Sequence, residues 1–261
     1  MAPTDSTGER GLTAQDATLT TVRARTLFAP LDAGGRAETV ARRLTDAISL
    51  GLLLDGERLP TESDLAGLLG VSTVTLRDAL ATLRERGLVE TRRGRGGGSF
   101  VQAPREQERA RLGRPLRELS LHELRDIGDH RAAIAGAAAR LAAARSTAAD
   151  IETLSDHLAR LRGASTLTER RRADARIHIE IAATAQSPRL TQEELDLWSQ
   201  VGDLVWLPVA EAEVAAIIDE HGLLLDAIAG YDGARAQQLA EAHVFAETER
   251  LLAFRLELGE P

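Results

Sequence analysis

Residues 59–89 decide the fold of the N-terminal part of this chain, and they read LPTESDLAGLLGVSTVTLRDALATLRERGLV. Thr61 opens a Thr-x-x-Asp start that resembles a helix capping box, and Gly70 ends the short helix that follows. Ser72 caps a second helix, which Gly87 stops. The spacing predicts two helices joined by a tight glycine turn. The apolar side of the second helix is expected to consist of Val74, Leu76, Ala79, Leu80 and Leu83.

The segments on either side complete this unit. Upstream, apolar residues recur at three- and four-residue spacing from Glu38 to Leu54, which predicts an amphipathic helix that Asp55-Gly56 breaks. Downstream, residues 88–91 and 99–101 have the pattern of two strands around a Gly-rich turn. This order of elements can place the second helix in a DNA major groove and the hairpin along the phosphates.

The charge of the chain is unevenly distributed. Its 261 residues hold 32 basic and 40 acidic side chains, and this net charge of −8 argues against a uniformly basic nucleic-acid binder. Residues 71–101 nevertheless contain six arginines and three acids, so positive charge gathers in that segment. Because the chain has no lysine, every cationic contact would come from a planar guanidinium, which suits phosphate and guanine.

Residues 36–103 resemble the winged helix-turn-helix domain of the GntR family of transcription regulators. The resemblance rests on Leu59-Pro60-Thr61-Glu62, Leu65-Ala66, Leu69-Gly70-Val71-Ser72, Leu76-Arg77-Asp78-Ala79-Leu80, Leu83 and Gly87-Leu88-Val89. It implies double-stranded operator DNA as a partner. The implied DNA contacts are Ser72, Thr73, Thr75 and Arg77 on the second helix and Arg92, Arg93 and Arg95 in the wing. Ser63 and Thr73 stand where the family usually has arginine, so we expect a diverged operator.

The remaining chain divides into a tail, a linker and a helical domain. Residues 1–35 lack sustained periodicity and are predicted to form a flexible tail, and the charged residues 104–120 to form a linker. Residues 121–258 show helical apolar spacing and no strand signal, which predicts an all-α bundle and a mainly α fold class. Its predicted helices span 121–144, 148–161, 168–185, 188–205, 210–229 and 233–258.

Composition excludes several classes of protein. No stretch approaches the roughly 18 consecutive apolar residues of a membrane span, and residues 1–30 lack the pattern of a secretory signal. We therefore expect a cytoplasmic protein without a membrane partner. The chain has no cysteine, which excludes disulfides, a thiol nucleophile and Cys-ligated zinc. Any metal must be held by histidines and carboxylates.

Three histidines and one aspartate of the helical domain form a candidate metal site. Asp174 and His178 are four residues apart in a helical segment, so they project from one face, and His221 and His243 lie in two later helices. Three imidazoles and one carboxylate suit Zn²⁺, Ni²⁺ or Mn²⁺ better than Ca²⁺ or Mg²⁺. Spacing alone does not show convergence, so four unrelated residues remain the alternative.

Residues 121–250 resemble the FCD effector domain of the FadR subgroup of GntR regulators. The matching residues are Asp126 to Arg131, the Ala-rich run ending at Arg145, Asp174-x-x-x-His178, and the pattern from Glu220-His221 through Leu224, Ala227-Ile228, Asp232 and Ala236 to His243. The resemblance implies that Asp174, His178, His221 and His243 hold a divalent transition metal, which we expect to be zinc, with nickel or manganese as alternatives. It also implies that Arg131 binds the carboxylate of a small organic acid beside the metal, and a surface or interhelical salt bridge is the alternative role.

Other residues of the domain carry weaker signals. The family's Gly-Asn turn after the Asp-x-x-x-His helix is replaced by Gln186-Ser187, and the family's Glu four residues beyond Arg131 is Ala135. Trp198 and Trp206 could line a pocket, but core packing is the interpretation we favour. The remaining histidines are interpreted as surface groups: His122, His130 and His157.

Together these patterns predict a DNA-binding transcription regulator that acts as a repressor and homodimer. A small organic acid at the metal would control its operator affinity by binding its DNA-competent and DNA-incompetent states differently. One alternative is a regulator with a purely structural metal. Another is a metal-dependent hydrolase, whose general base would be Glu180 or Glu220; Glu180 is two residues from His178 and should point away from it, so we predict no enzyme.

Overall fold

The computed structural model describes residues 37–94, 97–102 and 116–258. Within these ranges the chain is mainly helical, as predicted, and its sheet is a single two-stranded hairpin. The N-terminal elements are α1 (Ala37–Ser49), α2 (Glu62–Leu69), α3 (Thr73–Glu85), β1 (Val89–Arg92) and β2 (Gly98–Val101). The bundle helices are α4 (Leu121–Arg145), α5 (Ala148–Arg162), α6 (Leu167–Thr184), α7 (Pro188–Val201), α8 (Val214–Ala229) and α9 (Gly233–Glu257). The predicted tail and most of the predicted linker lie outside the described residues.

The helix-turn-helix follows the capping pattern of the sequence. The Thr61 hydroxyl accepts from the backbone N–H of Asp64 at the start of α2, and Ser72 accepts from Thr75 at the start of α3. Gly70 ends α2 with φ +66°, a left-handed conformation that glycine adopts without strain. These caps set the tight turn that orients α3 relative to α2.

The apolar side of α3 is narrower than we predicted. Leu76, Ala79 and Leu80 are buried, but Val74 is 64% exposed. Residues two apart on a helix are separated by about 200° around its axis, so Val74 faces away from Leu76. The prediction that Val74 belongs to the core is therefore wrong.

Two predicted helices end earlier than expected, in both cases at a glycine. Helix α1 stops at Ser49 rather than Leu54, because Gly51 adopts φ +69° and the chain folds back there. Helix α7 stops at Val201, and a short turn replaces the predicted residues 202–205. Helix α8 is preceded by a 3₁₀ turn at Glu211–Glu213, and another 3₁₀ turn occupies Leu116–Glu118.

The wing hairpin is tied to the chain before α2. Its strands pair antiparallel from Val89 opposite Val101 to Arg92 opposite Gly98. A further bridge joins Phe100 to Arg58, so the base of the hairpin is held beside the helix-turn-helix.

The bundle is organised around α6, which is buried along most of its length. The two longest helices, α4 and α9, pack closely against each other: a Cβ atom added at Gly128 would lie 2.5 Å from Thr248. Among the described residues, no helix is both long and apolar enough to cross a bilayer. Buried side chains of α4, α6, α8 and α9 line the centre of the bundle.

Candidate metal centre

The structure brings the four candidate ligands together. Asp174 and His178 lie one turn apart on α6, His221 comes from α8 and His243 from α9. All four are buried, and one ligand atom from each lies within 4.8 Å of the others. Capping at Thr166 starts α6 two turns before Asp174, and the four-residue spacing places Asp174 and His178 on the same face of the helix.

Hydrogen bonds on the outer nitrogens orient two of the rings. His221 Nδ1 lies 2.8 Å from the carbonyl oxygen of Ile217, and His243 Nδ1 lies 2.8 Å from Glu220 Oε2. Both outer partners are acceptors, so each Nδ1 carries a proton and donates. The Nε2 atoms are then directed towards the centre, the arrangement of metal-binding histidines.

The inner atoms of the cluster lack hydrogen-bond partners among the described residues. These atoms are Asp174 Oδ1 and the Nε2 atoms of His178, His221 and His243. Asp174 Oδ1 and His221 Nε2 lie 2.8 Å apart. In the tautomer set by Ile217 both atoms present lone pairs, so a proton or a metal ion must lie between them. A divalent metal fits this donor set, because it would satisfy all four atoms at once.

Two tryptophans and a glutamate surround the cluster. Trp206 Nε1 donates to Asp174 Oδ2 at 2.8 Å, and Trp198 Nε1 donates to Glu194 Oε1 at 2.9 Å. That Glu194 oxygen lies 4.0 Å from His178 Nδ1. The two tryptophans therefore do more than pack in the core, because each also holds a carboxylate of the site in place through a hydrogen bond. The eight-residue spacing of Trp198 and Trp206 does not predict that their indole N–H groups bond carboxylates.

The titratable groups of the buried site have pKa values that are shifted in different directions. Burial lowers the pKa of His178 to about 3, although the charge of Asp174 opposes this. Burial alone would also lower the pKa of His243, but the charge of Glu247 and the hydrogen bond to Glu220 raise it to about 10. Burial raises the pKa of Glu194 to about 7. A proton on His243 therefore competes with a metal for its imidazole.

Arg131 lies beside the cluster in an ion pair. Its Nη2 donates to Glu247 Oε2 at 2.9 Å, both side chains are 3% exposed, and the guanidinium lies 5.0 Å from the centre of the Trp198 ring. The other Glu247 oxygen lies 3.5 Å from His243 Nε2. This contact is the interhelical salt bridge that the sequence allowed as an alternative, and binding of an effector by Arg131 stays a prediction. Glu247 was missed, although it follows His243 by four residues, the same spacing that joins Asp174 to His178.

The prediction that the other three histidines are surface groups is correct for two of them and wrong for the third. His122 and His130 are exposed. His157 is buried, with Nε2 3.9 Å from Glu180 Oε2, so its surface assignment is wrong. Its position between α5 and α6 depends on helix packing that the spacing does not reveal. Glu180 is directed towards His157, and Glu220 bonds the outer nitrogen of His243, so neither lies beside the inner atoms of the cluster.

The candidate DNA-contacting residues lie along the exposed side of α3. Thr73 and Arg77 are exposed, and Ser72 and Thr75 bond each other through their hydroxyls at 2.8 Å. Arg77 Nε donates to Glu62 Oε2 at 2.7 Å, which leaves the two terminal NH₂ groups of the guanidinium outside that bond. Exposed ion pairs of this kind are weak and can yield to a phosphate or a base.

The wing presents its arginines beside this helix. Arg92 bonds Glu90 and stacks on Phe100, with its guanidinium carbon 4.4 Å from the ring centre. Arg93 is exposed at the end of β1. Arg95 lies outside the described residues, and the predicted DNA contacts of all these residues stay predictions.

Comparison with protein families matches both parts of the chain. The model "Bacterial regulatory proteins, gntR family" matches residues 36–98, and the model "FCD domain" matches residues 126–246. The FCD match contains all four residues of the cluster. The helix-turn-helix and β1 lie within the first match, which ends at the first residue of β2.

Several known regulators are similar over most of their length. The HTH-type transcriptional regulator RmpR of Mycobacterium gastri is 42% identical over 227 residues, which is 86% of this chain and 83% of RmpR. The Glc operon transcriptional activator of Escherichia coli (strain K12) is 29% identical, covering 84% and 90% of the two chains. LutR of Bacillus subtilis (strain 168) is 28% identical, covering 76% and 92%.

Among solved structures, E. coli McbR/YncC aligns with a TM-score of 0.50 at 20% identity, covering 85% of this chain and 97% of that one, which supports the fold alone. The relatives are transcription regulators rather than enzymes, in agreement with our prediction. The chain is therefore a DNA-binding transcription regulator that belongs to the GntR family and carries an FCD domain after its helix-turn-helix.

Proposed function

We propose that operator binding by this regulator is controlled through a metal ion held by Asp174, His178, His221 and His243. The observation that carries the proposal is the convergence of four buried ligand atoms without hydrogen-bond partners among the described residues. The donor set is nitrogen and oxygen, and we propose zinc as the metal, with nickel and manganese as the other candidates. When bound, the ion would act as a Lewis acid that attracts the carboxylate of a small organic acid.

The contacts between the bundle and the DNA-binding part support such control. Arg176 lies on α6 between Asp174 and His178, and its guanidinium donates to the carbonyl oxygen of Gly51, just after α1. A Cβ atom at Gly51 would lie 3.0 Å from the Arg172 side chain, so this turn sits directly on α6. The helix that carries two of the four ligands therefore also contacts the DNA-binding part. A shift of α6 would move the residues that make this contact.

A second contact joins α1 to α7. Arg43 donates to Gln192, and the carboxyl of Asp46 faces the charge of Asp196. Helix α7 also carries Glu194, which approaches His178, and Trp198. Two helices thus connect the cluster to α1. An effector can act through these contacts only if it binds one arrangement of the bundle and the DNA-binding part more tightly than another.

The carboxyl of Asp46 makes this interface sensitive to pH. Burial raises the pKa of Asp46 to about 6, helped by Asp196 and opposed by Arg42. A raised carboxyl pKa stabilises the folded state below the unfolded pKa of about 4, and this stabilisation is lost as pH rises through about 6. We expect the melting temperature of Asp46→Asn, which mimics the protonated form, to rise relative to that of the wild type as the pH increases from about 4 to about 6, the interval between the unfolded and folded pKa values. A constant difference across this range would contradict the assignment, and Asp129→Asn, at an exposed aspartate of α4, serves as the control.

Arg77 carries the proposed base or phosphate contact of α3. Arg77→Ala is expected to weaken operator binding by about 1–3 kcal/mol, because a guanidinium contact to guanine or phosphate is lost. Fluorescence anisotropy with a labelled operator duplex measures this change. Arg189→Ala removes an exposed arginine of the bundle and should leave the isotherm unchanged. Equal affinities of Arg77→Ala and the wild type would remove Arg77 from the interface.

We further propose a cytoplasmic homodimeric repressor of the FadR subgroup. Helix-turn-helix proteins commonly match two operator half-sites with two copies of the same domain, which supports the dimer. Analytical ultracentrifugation of the full chain tests the dimer directly. A monomer in the presence and absence of operator would refute it.

A purely structural metal remains the second candidate function of the cluster, favoured by its complete burial. Chelation followed by two measurements separates the candidates. Loss of melting temperature with unchanged operator affinity of the folded protein supports a structural metal. A change in operator affinity that zinc reverses supports control through the site.

A further inference from the structure

Val74 is an exposed apolar side chain that lies beside charged residues of α3. It is the second residue of α3 and is 64% exposed, while the core side of the helix is formed by residues such as Leu76 and Leu80. Arg77 and Asp78 follow it by three and four residues and share its face. Packing within the described part of the chain therefore does not account for an apolar residue here.

The side chains next to Val74 are short. Ser72 and Thr73 precede it and Thr75 follows it, and the hydroxyl of Ser72 is engaged in the helix cap. Valine extends only one carbon beyond its Cβ atom, so it can touch DNA only where the helix backbone comes close to the groove. The short neighbours permit such an approach.

The chemistry of the major groove limits what valine can recognise. Val74 has no donor or acceptor, so it cannot bond a phosphate or a base edge. The apolar group that a base pair presents in the major groove is the C5-methyl group of thymine. Three residues advance about 4.5 Å along a helix, close to the spacing of about 3.4 Å between base pairs. Val74 and Arg77 can therefore face neighbouring base pairs.

We propose that Val74 packs against the C5-methyl group of a thymine in the operator, next to the base pair that Arg77 approaches. The inference rests on the proposed placement of α3 in the major groove. It makes Val74 a specificity-determining residue that distinguishes thymine from the other three bases. Burial of one methyl group is worth about fourfold in affinity.

The test begins with selection of duplexes from a randomised pool by the full-length protein. Each thymine of the selected half-site is then replaced singly by deoxyuridine, which removes only the methyl group. We expect one replacement to weaken wild-type binding about fourfold, and to have no effect on binding by Val74→Ala. The matched control is the same replacement at thymines outside the half-site.

The outcomes separate this inference from the function on which it rests. If the protein selects no duplex, the proposed DNA recognition fails and the role of Val74 fails with it. If a half-site is selected but no single deoxyuridine weakens binding, or if the loss is the same for Val74→Ala and the wild type, only the role of Val74 is overturned. The measurements of wild-type binding to the deoxyuridine-substituted duplexes do not depend on the folding of any variant.

Discussion

His221→Ala is expected to lower the affinity for zinc by more than about 100-fold. Loss of an outer hydrogen-bond partner of a metal ligand costs about 10–100-fold, and His221 would be a ligand itself. Its Nε2 atom lies 2.8 Å from Asp174 Oδ1, so the variant also leaves that buried carboxylate oxygen without its nearest neighbour. Elemental analysis of the purified protein and competition with a chromogenic chelator measure the stoichiometry and the affinity.

His122→Ala is the matched control for this change. His122 is an exposed histidine on α4, so its removal should leave one zinc ion per chain at unchanged affinity. Circular dichroism establishes that both variants are folded. If folded His221→Ala retains one ion per chain with the affinity of the wild type, the four-residue site is not the metal centre.

Arg131→Met is expected to destabilise the protein by about 3–5 kcal/mol. The substitution removes the closest cation to Glu247, whose side chain is 3% exposed, and leaves only the imidazole of His243, 3.5 Å away, to balance this buried charge. The double substitution Arg131→Met with Glu247→Leu should recover most of the lost stability, because the buried charge is then removed as well. Chemical denaturation followed by circular dichroism gives the free energy of unfolding of each variant.

The control breaks an ion pair of similar length at the surface. Arg170 and Glu211 are joined at 2.6 Å, and Glu211 is 79% exposed, so Glu211→Ala should change the free energy of unfolding far less than Arg131→Met does. A loss for Arg131→Met as small as that for Glu211→Ala would show that the buried pair contributes little. It would also leave Arg131 available for a ligand, which is the role that the family resemblance implies.

Much of the fold could be predicted because the deciding signals are local. The caps at Thr61 and Ser72 and the turn at Gly70 depend on residues within one helical turn, and each occurs where the pattern predicts it. The end of α1 was predicted too late, since Leu52 continues the apolar spacing past Gly51. Periodicity alone does not reveal that the backbone reverses at that glycine.

Only the four ligands of the candidate site could be predicted from the sequence. Asp174 and His178 share a helix, so their proximity follows from spacing, whereas His221 and His243 could be placed with them only through the family pattern. The partners around the ligands come from packing between helices. Glu247 reaches Arg131 across 116 positions of sequence, and no local pattern records such a contact.

Operator binding with and without metal tests the central claim most directly. The isotherm of the full-length protein is measured on a selected duplex as purified with zinc, after chelation, and after zinc is restored. Our account predicts that chelation changes the dissociation constant by about 5- to 150-fold, the usual range of coupling between sites, that zinc reverses the change, and that His221→Ala does not respond. Superimposable isotherms for zinc-loaded, chelated and His221→Ala protein would contradict it.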